Sequence, residues 1–208
     1  MTEKNEQIDR WSGQFGEKYT NRSSWPAEEY NLLFKDWFGC TRLECNEKFI
    51  GKLDRNSKIL EVGCNLGNQL ILLQKMGFKN LYGIELNEYT VSQAFKRAKN
   101  INIKQGSIFE IPYKDQEFDM VFTSGVLIHI APKNIEKAIS EVNRCSKKYI
   151  WGYENYSEKY EMTNKNYLWR TNFFQLYLDI FPDFKLVKKE IFPWKQSKSM
   201  LSMFLLEK

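Results

Sequence analysis

Ile59-Leu60-Glu61-Val62-Gly63-Cys64-Asn65-Leu66-Gly67 is the stretch on which the fold turns. Lys58–Val62 is a short apolar run that stops at a glycine, the pattern of a buried strand. Gly67–Met76 then carries Leu70, Ile71, Leu73 and Gln74 in a helical pattern, with Gly77 placed as its C-cap. Glycines bound the turn between strand and helix. Without a Cβ, the backbone there can bend tightly and approach a ligand closely, and the helix that follows offers free N–H groups at its start.

The same alternation extends outward. Asn80–Glu85, Ile101–Gln105, Phe118–Ser124 and Tyr149–Gly152 read as four further strands. Glu88–Lys99 reads as a helix with Val91, Ala94, Phe95 and Ala98 on one face. Pro132–Cys145 is another, with Pro132 in its first turn and Ile135, Ala138, Ile139 and Val142 facing inward. Strands alternating with helices predict parallel βαβ units. The near-continuous apolar strands agree, because a parallel sheet is covered on both faces. The tail breaks the pattern: Tyr167–Phe181 reads as a helix, then Phe184–Phe192 and Met200–Leu206 as an antiparallel hairpin turning at Pro193-Trp194-Lys195-Gln196. Ahead of the first strand, Trp11, Phe15 and Tyr19 recur every four residues and are expected on one helical face. The chain is read as one domain, residues 1–208, with a helical lid or cap over 1–55 and an α/β core over 56–208.

In open α/β sheets ligands sit beyond the C-terminal ends of the strands. A dinucleotide fingerprint, G-x-G-x-x-G, would need glycine at 63, 65 and 68, but the chain has Gly63, Asn65 and Asn68. Glu61-x-Gly63-x-Asn65-x-Gly67 instead resembles the methyltransferase pattern [DE]-x-G-x-G-x-G with one substitution, and asparagine tolerates left-handed backbone angles. That resemblance implies the class I methyltransferase fold, Rossmann-like, with a mostly parallel seven-stranded sheet, helices on both faces and a C-terminal antiparallel hairpin. It implies S-adenosyl-L-methionine as cofactor and S-adenosyl-L-homocysteine as product.

Glu85 ends the second strand 22 positions after Gly63, close to the roughly 20 at which an acidic ribose ligand is found. It is also placed to cap the next helix. After the third strand, Ser107 and Ile108 stand where the adenine is met in this fold. After the fourth comes Thr123-Ser124-Gly125-Val126-Leu127-Ile128-His129-Ile130. It lacks the [NDS]-P-P-[YF] of exocyclic amine methyltransferases acting on nucleic acid, and it looks like the V-L-x-H segment of small-molecule methyltransferases. His129 is the single histidine, and its ordinary pKa of about 6.5 suits a general base; packing between helix and sheet is its other reading. Glu154, just past the fifth strand, is the second candidate base. Tyr19 and Arg22 are lid candidates that exclude water from the reacting centre, and Arg22 is suited to grip a carboxylate. The expected cofactor set is thus Tyr19, Arg22, Glu61, Gly63, Cys64, Asn65, Gly67, Asn68, Glu85, Leu86, Ser107, Ile108 and Ser124.

Trp11-x-Gly13-x-Phe15-Gly16-x-x-Tyr19-x-x-Arg22, followed by Ile59–Gly67 and Val126–His129, resembles the pseudaminic acid biosynthesis-associated methylases over nearly the whole chain. The resemblance implies a sugar or nucleotide-linked sugar as acceptor. Asn65 and Ser107 depart from the usual pattern.

Composition narrows the alternatives. The chain has 208 residues, 42% hydrophobic and 27% charged, as a globular protein of one domain has. No run approaches the roughly 20 apolar residues of a membrane span. The polar start is no secretory signal, so a cytoplasmic location is expected. The net charge of +5 comes from dispersed lysines rather than a basic block, which disfavours nucleic acid as a partner. Cys40, Cys45, Cys64 and Cys145 form no C-x-x-C pair and are expected as reduced thiols, with no metal site. A non-catalytic methyltransferase-like binding module and an RNA or protein methyltransferase stand as rival readings.

Overall fold

The computed structural model describes residues 6–163 and 168–208. Four helices precede the sheet: α1 Glu6–Ser12, α2 Gln14–Arg22, α3 Ala27–Phe38 and α4 Arg42–Ile50. The core then alternates β1 Lys58–Val62, α5 Asn68–Lys75, β2 Asn80–Glu85, α6 Glu88–Arg97, β3 Asn102–Gln105, β4 Phe118–Ser124, a 3₁₀ turn Leu127–His129, α7 Pro132–Cys145 and β5 Ser146–Tyr156. A two-stranded ribbon of β6 Glu161–Met162 and β7 Trp169–Arg170 follows, then α8 Phe173–Ile180, β8 Lys185–Pro193 and β9 Met200–Glu207.

The main sheet runs β3-β2-β1-β4-β5-β9-β8. β1 to β5 are parallel to their neighbours, and β9 and β8 are added antiparallel. This is the mostly parallel seven-stranded sheet with a terminal hairpin that the sequence predicts. Strand order reverses at β1/β4, so the crevice beyond their C-terminal ends is the expected ligand position.

Strand alternation sorts side chains to two cores. Leu60, Val62, Val121 and Ile150 join the residues of α7 and α8. Ile59, Met120, Phe122, Trp151 and Tyr153 face Phe34, Phe49 and Ile50 of α3 and α4, with Leu70 and Leu73 of α5. The period of two therefore sends Glu61 and Ser124 toward the α3–α4 side, and Glu154 toward α8.

Several elements differ from their predicted form. β5 is 11 residues long rather than ending at Gly152, because β9 pairs with it from Tyr149 to Tyr156. The tail helix begins only at Phe173, where the Asn172 side chain accepts from the Gln175 N–H at 3.2 Å and caps it. Tyr167, its predicted start, lies outside the described residues. Phe95 is 66% exposed, so the inward face of α6 is Thr90, Ala94 and Ala98. The aromatic stripe is split between α1 and α2, which break at Gly13. Cys40 and Cys45 are joined as a disulfide, which corrects the expectation of four reduced thiols, while Cys64 and Cys145 are free and buried. Gly39 ends α3 in the left-handed region and Thr41 caps α4, and this turn brings the two cysteine Cα atoms to 6.6 Å, within disulfide reach. No helix among the described residues is long and apolar enough to cross a membrane.

Candidate functional site

A cavity opens at the C-terminal ends of β1, β2 and β4, where ligands bind in open α/β sheets. Its floor is the β1–α5 turn. Gly63 and Asn65 both take positive φ, 73° and 46°. The N–H groups of Gly63 and Cys64 donate to the Ile84 carbonyl at 2.8 and 2.9 Å, which ties the turn to β2. A Cβ on Gly63 would sit 2.6 Å from Val126 Cγ2, so glycine is also what lets the β4 loop close over β1. Gly125, with φ 70°, has nothing within 4 Å of its Cβ position and faces open space in the cavity.

Glu85 lines the cavity at the end of β2. Its Oε2 accepts from the Asn65 N–H at 2.9 Å, and its Oε1 from those of Leu86 and Asn87 at 2.8 and 3.1 Å. Burial pushes its carboxyl above the usual range, and these three N–H groups oppose that. A carboxylate has about four lone-pair sites, so room remains for one further donor. Helix α6 is capped not by Glu85 but by Asn87, whose Oδ1 accepts from the Thr90 N–H at 3.1 Å.

The cavity roof comes from the N-terminal segment. Gln7, Ile8, Trp11, Gly16, Tyr19 and Thr20 all line it. Asn87 Nδ2 donates to the carbonyls of Trp11, Ser12 and Gly13, each at 3.1 Å, and so clamps the break between α1 and α2 to the β2 end. Gly16 is needed at this crossing, because a Cβ would fall 2.0 Å from the Trp11 carbonyl oxygen. Thr20 Oγ1 reaches both Asn65 Oδ1 and Thr90 Oγ1. The Trp11 ring packs on the His129 imidazole at 4.5 Å between centroids, and the Gln7 amide donates to the His129 carbonyl.

Of the predicted residues, Tyr19, Gly63, Asn65, Glu85, Leu86, Ser107, Ile108, Ser124 and His129 line the cavity. Ser107 is partly engaged, its Oγ accepting from the Phe109 N–H at 3.2 Å. The others stand off the wall. Arg22 is exposed and lies over the Tyr19 ring at 5.6 Å. Cys64 is buried behind the turn, and burial raises its thiol pKa. Gly67 is the left-handed N-cap of α5. Asn68 bonds the Trp25 carbonyl at 3.1 Å. Glu61 is buried, and burial holds its carboxyl well above the usual range. Glu154 is fully buried on the other face of the sheet. Its oxygens accept from the N–H groups of Val126 and Ile128 at 3.2 and 3.4 Å, so it holds the β4 loop from behind.

Sequence reasoning did not identify Gln7, Thr20, Asn87 or Arg42. Asn87 carried a legible signal as an N-cap residue directly before a helical run; the others became evident only when the helices were placed.

A family model described as a methyltransferase domain matches residues 60–149, from β1 into β5. The 24-methylenesterol C-methyltransferase 2 of Arabidopsis thaliana is 30% identical over 96 residues, 43% of this chain and 26% of that protein. The chain spans less than half the length of the curated relatives it matches, 41% of an uncharacterized protein of Haemophilus influenzae and 26% of the sterol methyltransferase-like 2 protein of Botryococcus braunii. Among solved structures, the [4+2]-cyclase SpnF superposes with a TM-score of 0.67 at 14% identity, covering 80% of each chain. A SAM-dependent methyltransferase from Aquifex aeolicus gives 0.63 at 16% identity, covering 91% of this chain and 97% of that one. The fold is therefore the Rossmann-like one of class I methyltransferases.

Proposed function

We propose that this chain is an S-adenosylmethionine-dependent methyltransferase acting on an oxygen or nitrogen of a small acceptor. One observation carries the reading. The cavity lies at the β1/β4 switch point, with a left-handed glycine turn, an acidic β2 end and an aromatic roof around one space. The matched methyltransferase-domain segment contains the first two of these.

S-adenosylmethionine is the cofactor, and the residues present fit it. Glu85 retains one acceptor position for a ribose hydroxyl. Ser107 and Ile108 border the place for the adenine, and Gly63 and Gly125 allow close approach of the chain. Glu61 Oε2 is buried with no hydrogen-bond partner, a costly arrangement that an ammonium group would relieve. When bound, the cofactor supplies a methyl group already activated on a sulfonium.

The protein's work is then to align the acceptor and exclude water. Trp11 and Tyr19 cover the space, and the Asn87 clamp holds them there. His129 is the proton acceptor for a hydroxyl or ammonium acceptor. Of the other titratable groups on the lining, Glu85 accepts from three N–H groups, and burial raises the Tyr19 phenol. Glu154 serves by fixing the Val126–Ile128 backbone beside the acceptor space. The likeness of Trp11–Arg22 to nonulosonic acid-pathway methylases supports a sugar-derived acceptor. Calorimetry with S-adenosylhomocysteine tests the reading: binding is expected in the wild type and lost in Gly63→Asp. No binding by the wild type overturns it. One fold hosts many chemistries, and the likeness to a cyclase favours, as a second reading, cofactor binding without methyl transfer. Cofactor affinity with no methylated product across a panel of sugar nucleotides would select that reading.

A further inference from the structure

The joined cysteines of the α3–α4 corner have unlike surroundings. Cys40 stands just before the start of α4 and is partly exposed. Cys45 lies one turn into the helix and is buried against the core. The Lys195 side chain, from the β8–β9 connection, lies over the same corner. Its Nζ is 3.6 Å from the position of a Cβ on Gly39, and it reaches the Lys35 carbonyl at 3.5 Å. A helix start and an ammonium group together favour a thiol reacting as thiolate. Cys64 and Cys145 are instead enclosed, and burial raises both thiols, that of Cys145 to about 11.

The short loop that this pair closes contains Arg42, the first residue of α4. Arg42 is buried, and its Nη2 donates to Ser124 Oγ at 3.1 Å. Ser124 lines the cavity. The corner therefore connects to the cavity wall through one side-chain bond. Other ties hold the corner as well. The Thr41 N–H donates to Glu44 Oε2 at 2.7 Å, the Glu44 N–H to Thr41 Oγ1 at 3.2 Å, and the Leu43 N–H to Asn31 Oδ1 at 2.8 Å. Opening the disulfide leaves these in place, so it loosens the corner rather than unfolding it.

We propose that Cys40 and Cys45 form a thiol–disulfide exchange site for low-molecular-weight disulfides and dithiols, and that its state sets ligand affinity at the cavity. In the oxidising direction the Cys40 thiolate attacks one sulfur of the external disulfide, forms a mixed disulfide and expels one thiolate. Cys45 then loses its proton to solvent, and its sulfur attacks Cys40 Sγ, forming the internal disulfide and expelling the second thiolate. Two protein thiols are oxidised, and one external disulfide is reduced to two thiols. A dithiol reverses both steps by attack at the accessible Cys40 sulfur. With the disulfide closed, the loop around Arg42 is tied at both ends and the bond to Ser124 is held; Arg42 acts as a tether on the wall. This coupling rests on the methyltransferase reading, whereas the exchange chemistry stands without it.

The full chain, reduced with dithiothreitol and then freed of it, is treated under native conditions with dithiobis(nitrobenzoate), an aromatic disulfide that releases a coloured thiolate. The wild type is expected to release two thiolates per chain and to keep no adduct by mass. Cys45→Ser is expected to release one and keep the adduct, and Cys40→Ser to release none. An adduct kept on the wild type, or release from native Cys40→Ser, overturns the site. Calorimetry with S-adenosylhomocysteine then compares the disulfide and dithiol forms. The disulfide form is expected to bind about 3- to 10-fold more tightly, as for one hydrogen bond, and Cys40→Ser to bind as the dithiol form does. Equal affinity of the two wild-type forms overturns the coupling and leaves the methyltransferase reading intact. Binding by neither form overturns that reading and the coupling with it, while the released thiolate still decides the exchange site.

Discussion

The hydroxyl of Thr20, in α2, lies 3.2 Å from Asn65 Oδ1 in the β1–α5 turn. The substitution that sets this turn apart from an all-glycine one is therefore used: Asn65 takes a left-handed backbone and gives its side chain to the roof. The same hydroxyl meets Thr90 Oγ1 at 2.7 Å, so one buried group joins α2, the turn and α6. Thr20→Val keeps the shape and strands Thr90 and Asn65. A loss of about 1–3 kcal/mol in stability is expected, as for buried partners left unsatisfied, together with weaker S-adenosylhomocysteine binding. Chemical denaturation and calorimetry on the same samples check both. Unchanged affinity would separate the roof from the cofactor.

Gly63 and Gly125 share a positive φ but differ in surroundings. Alanine at 63 meets Val126 Cγ2 at 2.6 Å, whereas alanine at 125 meets nothing within 4 Å. Left-handed strain alone costs about 1–2 kcal/mol. Gly125→Ala is expected to lose that much stability and to lower ligand affinity by occupying cavity space. Gly63→Ala is expected to lose clearly more, because the β4 loop must shift. Thermal melts of the two variants rank them, and equal melting points would refute the packing argument.

The strand ends were readable in the sequence because each is punctuated by local chemistry: Gly63, Glu85, Gly106 and Ser124. Nine predicted residues come together on that basis. The reading lost precision where function depends on partners distant in the chain. Glu61 and Glu154 look alike as acidic strand-end residues, yet the period of two sends them to opposite faces. Arg22 is prominent in an aromatic motif but is exposed, while Arg42, in no motif, is buried against Ser124. A helix boundary at Gly13 likewise cannot be inferred from aromatic spacing, since Trp11 and Tyr19 still meet across it at 5.1 Å between centroids.

His129 gives a test that separates chemistry from packing. As proton acceptor its loss is expected to lower methyl transfer by about 10²–10⁴-fold. His129→Gln retains hydrogen-bonding capacity and approximate size beside Trp11. It is expected to bind S-adenosylhomocysteine as the wild type does while turnover collapses. If affinity and melting temperature fall in step with rate, the imidazole is a packing group.

Glu154 makes stability depend on pH in a direction opposite to that of a surface carboxylate. Burial raises its pKa from 4.5 to about 7, against bonds from Thr123 and the β4 loop N–H groups. The folded state then binds the proton more tightly than the unfolded one. Its contribution is fully present below about pH 4.5 and is lost as pH rises through about 7, for a total of about 3 kcal/mol. Glu154→Gln stays neutral throughout and keeps one oxygen for the loop. Relative to wild type, the variant is expected to gain stability between about pH 5 and pH 8 by that order, read from urea midpoints at the two values. Parallel wild-type and variant curves across that window would show that Glu154 is charged in the folded protein and that the loop N–H groups outweigh its burial.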